Sequence, residues 1–513
     1  MLTTELRFRL IAFGVLAALV WFAYGPSLSH VARSDQIAYL ADIHGEDSLM
    51  KLTLGSSSFT RTRHFSPGDF LLYRPVIYWI LGFEYWLWGY HFEAWQLVGI
   101  LLHLGVVWTV FCILRKFQLR RAAFALSACL AVLTAGIELV TWHHLHGYLI
   151  FLLFFLGSFF GLFDHVESGQ TRGTSLLLVA FLLFAACLTH ELGCLWAIIF
   201  AAFLWLTHPS IHAPLAKKPA ALPRSTAFLL LVPVLLYAIL SFYDYHRHAF
   251  SPQNEVSFHF SWIEFGINYL KSLAWWICMG IFSVPSEWTS SPLEGTKFIP
   301  SAIVLRPLFP LVFAAVAVVI PYWIFRQIRA SPQSSPWKKW RILIILLLGA
   351  YVALLDFGRF MPRSLGYIFR NLNCAYFVWL LLVLFAGCWL TEMKTRRKCI
   401  RYPIQNAIYG IIALWIVWNA FQLRELNQKR AQMDRPLREM LSQTSSLVAA
   451  HHADPGFCFY VPPSESSNPL RDWPRRDDQP EKVYTLVELI FSRYYSADHP
   501  QFIWKENRWV KVH

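Results

Sequence analysis

Apolar residues fall in long blocks broken by short polar segments, at 9–28, 95–115, 122–142, 147–164, 174–189, 193–207, 226–245, 302–325, 342–357, 373–391 and 404–422. A helix needs roughly 20 apolar residues to cross a hydrocarbon core about 30 Å thick, and most of these blocks approach that length. The pattern predicts an all-α polytopic membrane protein of about eleven transmembrane helices. No internal repeat is visible among them.

Two further apolar stretches, 75–90 and 264–284, are ambiguous on hydropathy, and charge decides their placement. With the N-terminus inside, the inner segments collect Arg115, Lys116, Arg120 and Arg121, then Lys217, Lys218 and Arg224, and later Lys394, Arg396, Arg397, Lys398 and Arg401. The short outer turns 143–147 and 190–193 contain no Lys or Arg. That asymmetry is the positive-inside pattern, and making either stretch alone a span would invert the basic clusters beyond it. Both are rich in Trp (Trp79, Trp86 and Trp88; Trp262, Trp275 and Trp276), which favours helices lying in the outer interface.

The chain therefore divides into a membrane domain, 1–422, and a small external domain, 423–513. Residues 29–92 form the first external loop, with its interfacial helix. In the last segment GFCFYVPP reads as a strand, EKVYTLVELIFSRYY as an amphipathic helix and FIWKENRWVKVH as a strand pair, with RDWPRRDDQP as a loop. The result is a small α/β appendix. The apolar run over 9–28 has no small-residue cleavage site before Asp35, so it reads as a retained signal anchor.

Composition narrows the function classes. Charged residues make up 15% of the chain, well under the roughly 25% of a soluble domain. The net charge of +14 would suggest nucleic acid in a soluble protein, but here the positive-inside loops account for it, and no nucleic-acid motif is present. The nine cysteines show no zinc spacing, and most lie inside apolar runs as small hydrophobes.

The acids are distributed unevenly. Asp35, Glu138, Glu191, Asp244 and Asp356 all fall at or near the outer ends of expected spans. A transporter would be expected to keep polar groups near the bilayer midplane, whereas this layout describes a site facing the outer leaflet. Any one of these acids alone is better explained as a side chain snorkelling from a helix end, and the five together weaken that explanation.

The order in which these features occur is what carries a resemblance. Asp35 follows the first span, Tyr73-Arg74-Pro75 precedes a Gly-terminated aromatic helix, and the next span opens FEAWQLVGILLH. VTWHHLHGYLIFLLFFL, THELGCLWAIIF and RSLGYIFRNLNCAYFVWLL follow in turn. This series resembles the GT-C superfamily of polyprenyl-phosphate-sugar-dependent glycosyltransferases, and is most similar to the protein O-mannosyltransferase-like members, over roughly residues 1–420. The chain departs from those members at several points. Asp35 has no second adjacent acid, His143, His144 and His146 stand where relatives often carry an acid, His190 replaces the lysine before the glutamate, and no tetratricopeptide repeats follow.

The resemblance implies an inverting glycosyltransferase of the cell envelope, moving a sugar from a polyprenyl monophosphate to an acceptor on a glycan, lipid or protein. The odd number of expected spans puts the C-terminus outside, and the absence of retention signals points to a bacterial inner membrane. The chemistry needs a base for the acceptor hydroxyl and cations for the leaving phosphate. Asp35 is the expected base, with Glu191 orienting it or His190, or simply capping a helix. Arg359, Arg363 and Arg370, clustered in one outer turn, are the expected phosphate ligands, with Arg74 next, since the guanidinium fork matches phosphate oxygens. His143, His144, His146 and His190 are candidates for substrate contact, and the first three for a divalent metal; hydrogen bonding to neighbouring loops explains them as well. An exporter or flippase, and an O-antigen ligase or polymerase, remain as alternative readings.

Overall fold

The computed structural model describes residues 3–32, 40, 74–117, 119–168, 173–207, 226–247, 261–281, 336–357, 372–395, 402–454, 457–460, 490–494, 496, 500–505 and 508–512. These residues are mostly helical, with one small sheet. The expected span at 302–325 lies outside them, as do Asp35, Arg359, Arg363 and Arg370.

The helices are α1 (Thr4–Tyr24), α2 (Pro75–Trp88), α3 (Phe92–Lys116), α4 (Arg121–Ala131), α5 (Ile137–Thr141), α6 (His146–Ser168), α7 (Gly173–Thr189) and α8 (Leu192–Thr207). They continue with α9 (Thr226–Leu229), α10 (Val232–Arg247), α11 (Trp262–Ile281), α12 (Pro336–Phe357), α13 (Leu372–Thr395) and α14 (Tyr402–His451). Among the described residues, five helical segments are long and apolar enough to cross a membrane, or six if the bent pair α4 and α5 counts as one. That is fewer than the eleven expected. The helices at 174–189, 192–206 and 227–242 are apolar but shorter.

The bundle is held by a continuous apolar core. Trp196, Phe155 and Phe377 pack together with tilted rings, and Trp340, Phe159 and Phe163 extend the cluster toward one end. Between apolar helices in lipid such rings contribute through close van der Waals packing rather than by removal from water. Gly99 marks one close approach: a Cβ there would lie 2.3 Å from the Val140 carbonyl oxygen and 2.6 Å from His146 Nε2, so α3 meets the following segments only without a side chain.

The block at 122–142 is broken rather than continuous. α4 ends at Ala131, and the segment Thr134–Thr141 leaves at 53° to it. Helix ends leave carbonyls without partners, which is costly away from water, and α3 supplies donors. His103 Nε2 donates to the Ala131 carbonyl at 3.1 Å, with the Tyr376 hydroxyl beside its Nδ1 at 3.2 Å. Gln96 Nε2 donates to the Thr141 carbonyl at 2.9 Å.

The last helix does not stop where hydropathy does. α14 continues from the apolar block at 404–422 unbroken through Pro436 to His451. Its second half rests on the end of α1: Arg424 Nη1 and Asn427 Nδ2 donate to the Phe22 and Ala23 carbonyls, and Asp434 Oδ2 accepts from the Val31 amide. A second, smaller core forms there from Val31, Ile77, Leu81, Trp95, Leu437, Met440, Phe459 and Trp504. It joins α2, the start of α3 and α14 to a sheet of β1 (Phe459–Tyr460), β2 (Phe502–Lys505) and β3 (Arg508–Lys511). β2 pairs with β1 in parallel and with β3 antiparallel, so FIWKENRWVKVH is the expected strand pair. The helix expected over EKVYTLVELIFSRYY falls mainly outside the described residues, and Ser492–Tyr494 within it is a single 3-10 turn.

The two ambiguous stretches are both helices. α2 buries Ile77, Tyr78, Leu81 and Glu84 and exposes Trp79, Phe83, Trp86 and Leu87. α11 packs Leu273, Ala274 and Trp276 toward α12 and α13 and exposes Trp262 and Ile263 at its start.

Candidate functional site

The site lies at the end of the bundle beneath the small sheet. Arg74 precedes Pro75, which stands at the first position of α2, where its missing amide hydrogen costs nothing. The Arg74 side chain reaches the turn between α7 and α8, 117 residues away in sequence, and grips Glu191 with two hydrogen bonds, Nη2 to Oε1 at 2.6 Å and Nε to Oε2 at 2.9 Å. Arg74 Nη1 donates to the Tyr148 hydroxyl at 3.2 Å. A fork-to-carboxylate pair of this kind fixes orientation as well as charge.

The turn itself is tight. His190 Nδ1 accepts from the Leu192 amide at 3.2 Å, which makes the imidazole neutral with its proton on Nε2. Burial, and after it the Arg74 charge, push His190 down to about 3 against the opposing pull of Glu191. The 3.4 Å approach of its Nδ1 to Glu191 is therefore a contact, not an ion pair. For Glu191 burial acts upward, but Arg74 and then His190 outweigh it and hold the carboxyl at about 2. With its side chain one-third exposed, Glu191 is a fixed anion at the mouth of the site.

Behind this pair lies a second, fully buried group. Glu84 Oε1 meets His146 Nδ1 at 3.0 Å. Gln96 Nε2, already donating to Thr141, also meets His143 Nε2 at 2.8 Å. An amide NH₂ can only donate, so the His143 proton sits on Nδ1. His143 stacks on Phe92 at 5.7 Å, and the His143 and His146 rings lie 5.8 Å apart. Glu84 Oε2, Gln96 Oε1, His143 Nδ1 and His146 Nε2 are all buried and have no hydrogen-bond partner among the described residues. Four such atoms in one place are unusual, since buried polar groups are nearly always satisfied.

Of the expected site residues, Arg74, Glu191 and His190 come together, while His143 and His146 belong to the separate buried group with Glu84 and Gln96. His144 tilts against Trp142 instead. His143 and His146 lie side by side but hydrogen-bond to different neighbours, and among the described residues no group of three or more His, Cys, Asp or Glu is arranged to hold a metal ion. Asp35, Arg359, Arg363 and Arg370 lie outside the described residues. Glu84, Gln96 and Tyr148 escaped the sequence reading. Glu84 had a signal, being the single charged residue of PVIYWILGFEYWLW. No protein-family model matches the chain, and no curated protein is significantly similar to it.

Proposed function

We propose that the chain is an integral-membrane inverting glycosyltransferase of GT-C architecture, taking a sugar from a polyprenyl monophosphate to an acceptor hydroxyl or amine on the external face. The observation that supports this reading is convergence at one end of the bundle. Arg74 of the YRP run and Glu191 of the HELG turn are joined there. α1 reaches the same end just before Asp35, and its Val31 amide is held by Asp434. α12 starts at the opposite end, where Lys339 pairs with Glu167, and α13 returns there, where Glu392 pairs with Arg341. α12 therefore ends, and α13 begins, toward the Arg74 end of the bundle.

In this reading the acceptor oxygen attacks the anomeric carbon while the bond from that carbon to the phosphate oxygen breaks on the opposite face. The proton of the acceptor passes to the Asp35 carboxylate, and the phosphate leaves as an anion neutralised by arginine, without a general acid. Arg74 has its Nε, Nη1 and Nη2 engaged with Glu191 and Tyr148, so it orders the site, and Arg359, Arg363 and Arg370 take the phosphate first. The membrane is a bacterial inner membrane in this reading, with about eleven crossings, α2 and α11 in the outer interface and the C-terminal sheet external.

Asp35→Asn tests it. The variant keeps size and loses the base, so a folded, donor-binding protein should turn over about a hundredfold more slowly. Undiminished transfer in that variant would remove Asp35 from the chemistry.

One observation favours the exporter instead. Broken helices are a habit of transporters, and here α4 and α5 form one, with Glu138 buried just past the break. Movement of a labelled lipid-linked sugar across proteoliposomes, without transfer to any acceptor, would support that alternative.

A further inference from the structure

The turn between α7 and α8 has more hydrogen-bonding capacity than the protein uses. His190 is 7% exposed, and the Leu192 amide donates to its Nδ1, so the ring proton stands on Nε2. No described residue accepts that proton. The ring is held in place, with Tyr148 edge-on at 5.1 Å and Phe151 tilted against it at 5.4 Å. Tyr148 has a second uncommitted donor. Its oxygen accepts from Arg74 Nη1, which leaves the hydroxyl hydrogen to donate, and no described residue takes it. Glu191 supplies the complement. A carboxylate has about four lone-pair sites, and Arg74 occupies one on each oxygen of a side chain that is one-third exposed. The backbone that carries these groups is rigid, bonded from His190 to Ala186, from Gly193 to His190 and from Cys194 to Glu191. Gly193 lets it close so tightly, since a Cβ there would fall 2.4 Å from the Cys187 amide nitrogen.

Charge decides what such a turn can hold. Arg74 and Glu191 cancel, His190 and Tyr148 are neutral, and Nε, Nη1 and Nη2 of Arg74 are already bonded. A phosphate calls for uncompensated cations, which this turn lacks. Hydroxyls suit it, because each can donate to a carboxylate and accept from a neutral N–H or O–H. If His190 and Tyr148 served packing alone, both donors would be left unmatched, against the general pairing of buried polar groups. We propose that the turn binds the sugar ring of the lipid-linked donor, its adjacent hydroxyls donating to Glu191 and accepting from His190 Nε2 and the Tyr148 hydroxyl. This subsite rests on the glycosyltransferase reading above and divides the donor, with the sugar at the turn and the phosphate elsewhere. It also gives selectivity: a sugar without one of those hydroxyls leaves a polar group of the protein unpaired.

Binding tests this without any transfer assay. The full chain, purified in detergent, is titrated calorimetrically with farnesyl phosphate and with its mannosyl, glucosyl, galactosyl and arabinosyl esters. At least one ester should bind about tenfold or more tighter than bare farnesyl phosphate. His190→Phe keeps a ring against Tyr148 and Phe151 but removes the N–H. It should weaken that ester about tenfold and leave bare farnesyl phosphate unchanged. Tyr148→Phe, a change of one oxygen, should weaken the same ester severalfold, and it decides the matter if the first variant fails to fold. No gain from any sugar, a gain untouched by both variants, or an equal loss on bare farnesyl phosphate overturns the subsite while leaving the donor reading in place. If farnesyl phosphate and all its esters fail to bind the wild type, the donor reading falls and the subsite with it.

Discussion

The two ends of the bundle solve the same problem in opposite ways. At one end most charges are paired near the surface, the buried Arg341–Glu392 pair apart: Glu5 with Arg9, Arg115 and Arg120, Lys116 with Asp164, and Lys339 with Glu167. Several of these groups are half exposed, and water completes whatever the protein does not. At the other end the polar groups are drawn inward. Arg74, Glu191 and Tyr148 interlock, and behind them Glu84, Gln96, His143 and His146 lie buried with four atoms unmatched. The first arrangement keeps most of its charges solvated, at little energetic consequence. The second carries a desolvation cost, which a fold retains where it needs a site.

Substitutions can break that contrast, and the largest effect belongs to the buried pair. Glu84→Ala leaves His146 with an unmatched Nδ1–H in an apolar surround and opens a gap in the second core. Stability should fall by about 3 kcal/mol, measured by thermal unfolding in detergent. Arg74→Ala should cost less, about 1–2 kcal/mol, because Glu191 is one-third exposed and water reaches it.

Acid should weaken the same end selectively. His190 is held at about 3, below the ordinary imidazole value, so between those limits the unfolded chain binds a proton that the folded one refuses. Its stabilising contribution is complete above the ordinary value and declines as pH falls toward about 3. Glu191, held at about 2, acts in the same direction from the ordinary carboxylate range downward. Melting temperature should drop between pH 7 and pH 4, and His190→Gln should flatten the upper part of that slope. The smallest effect is expected at the opposite end: Lys116→Ala, with both partners of its pair half exposed, should change stability by under about 0.5 kcal/mol.

What the sequence disclosed follows the same division. The blocks at 9–28, 95–115, 147–164 and 373–391 became α1, α3, α6 and α13, because uninterrupted apolar length is a local signal. The break after Ala131 was invisible, since the Ala131 carbonyl is satisfied by His103 from another helix. The extension of α14 past residue 422 was hidden by the loss of hydropathy, although Glu425–Lys429 and Arg435–Glu439 are i,i+4 pairs that support a solvated helix. Arg74 and Glu191 were each picked out from their own motif, but nothing local indicated that they bind each other. Their union depends on how α2 lies across α6 and α7.

The length of α14 has a consequence of its own. At 1.5 Å per residue its 50 residues measure about 75 Å, more than twice the thickness of a hydrocarbon core. Roughly half must stand clear of the bilayer, and there it is fastened to the end of α1 below and to the sheet above, where Trp509 reaches Thr444. The helix is therefore a ruler. A flexible tether would let the sheet wander over the membrane, but a strut counted in helical turns sets its height. Adding or removing one residue would shift that height by only about 1.5 Å yet swing the sheet about 100° around the axis.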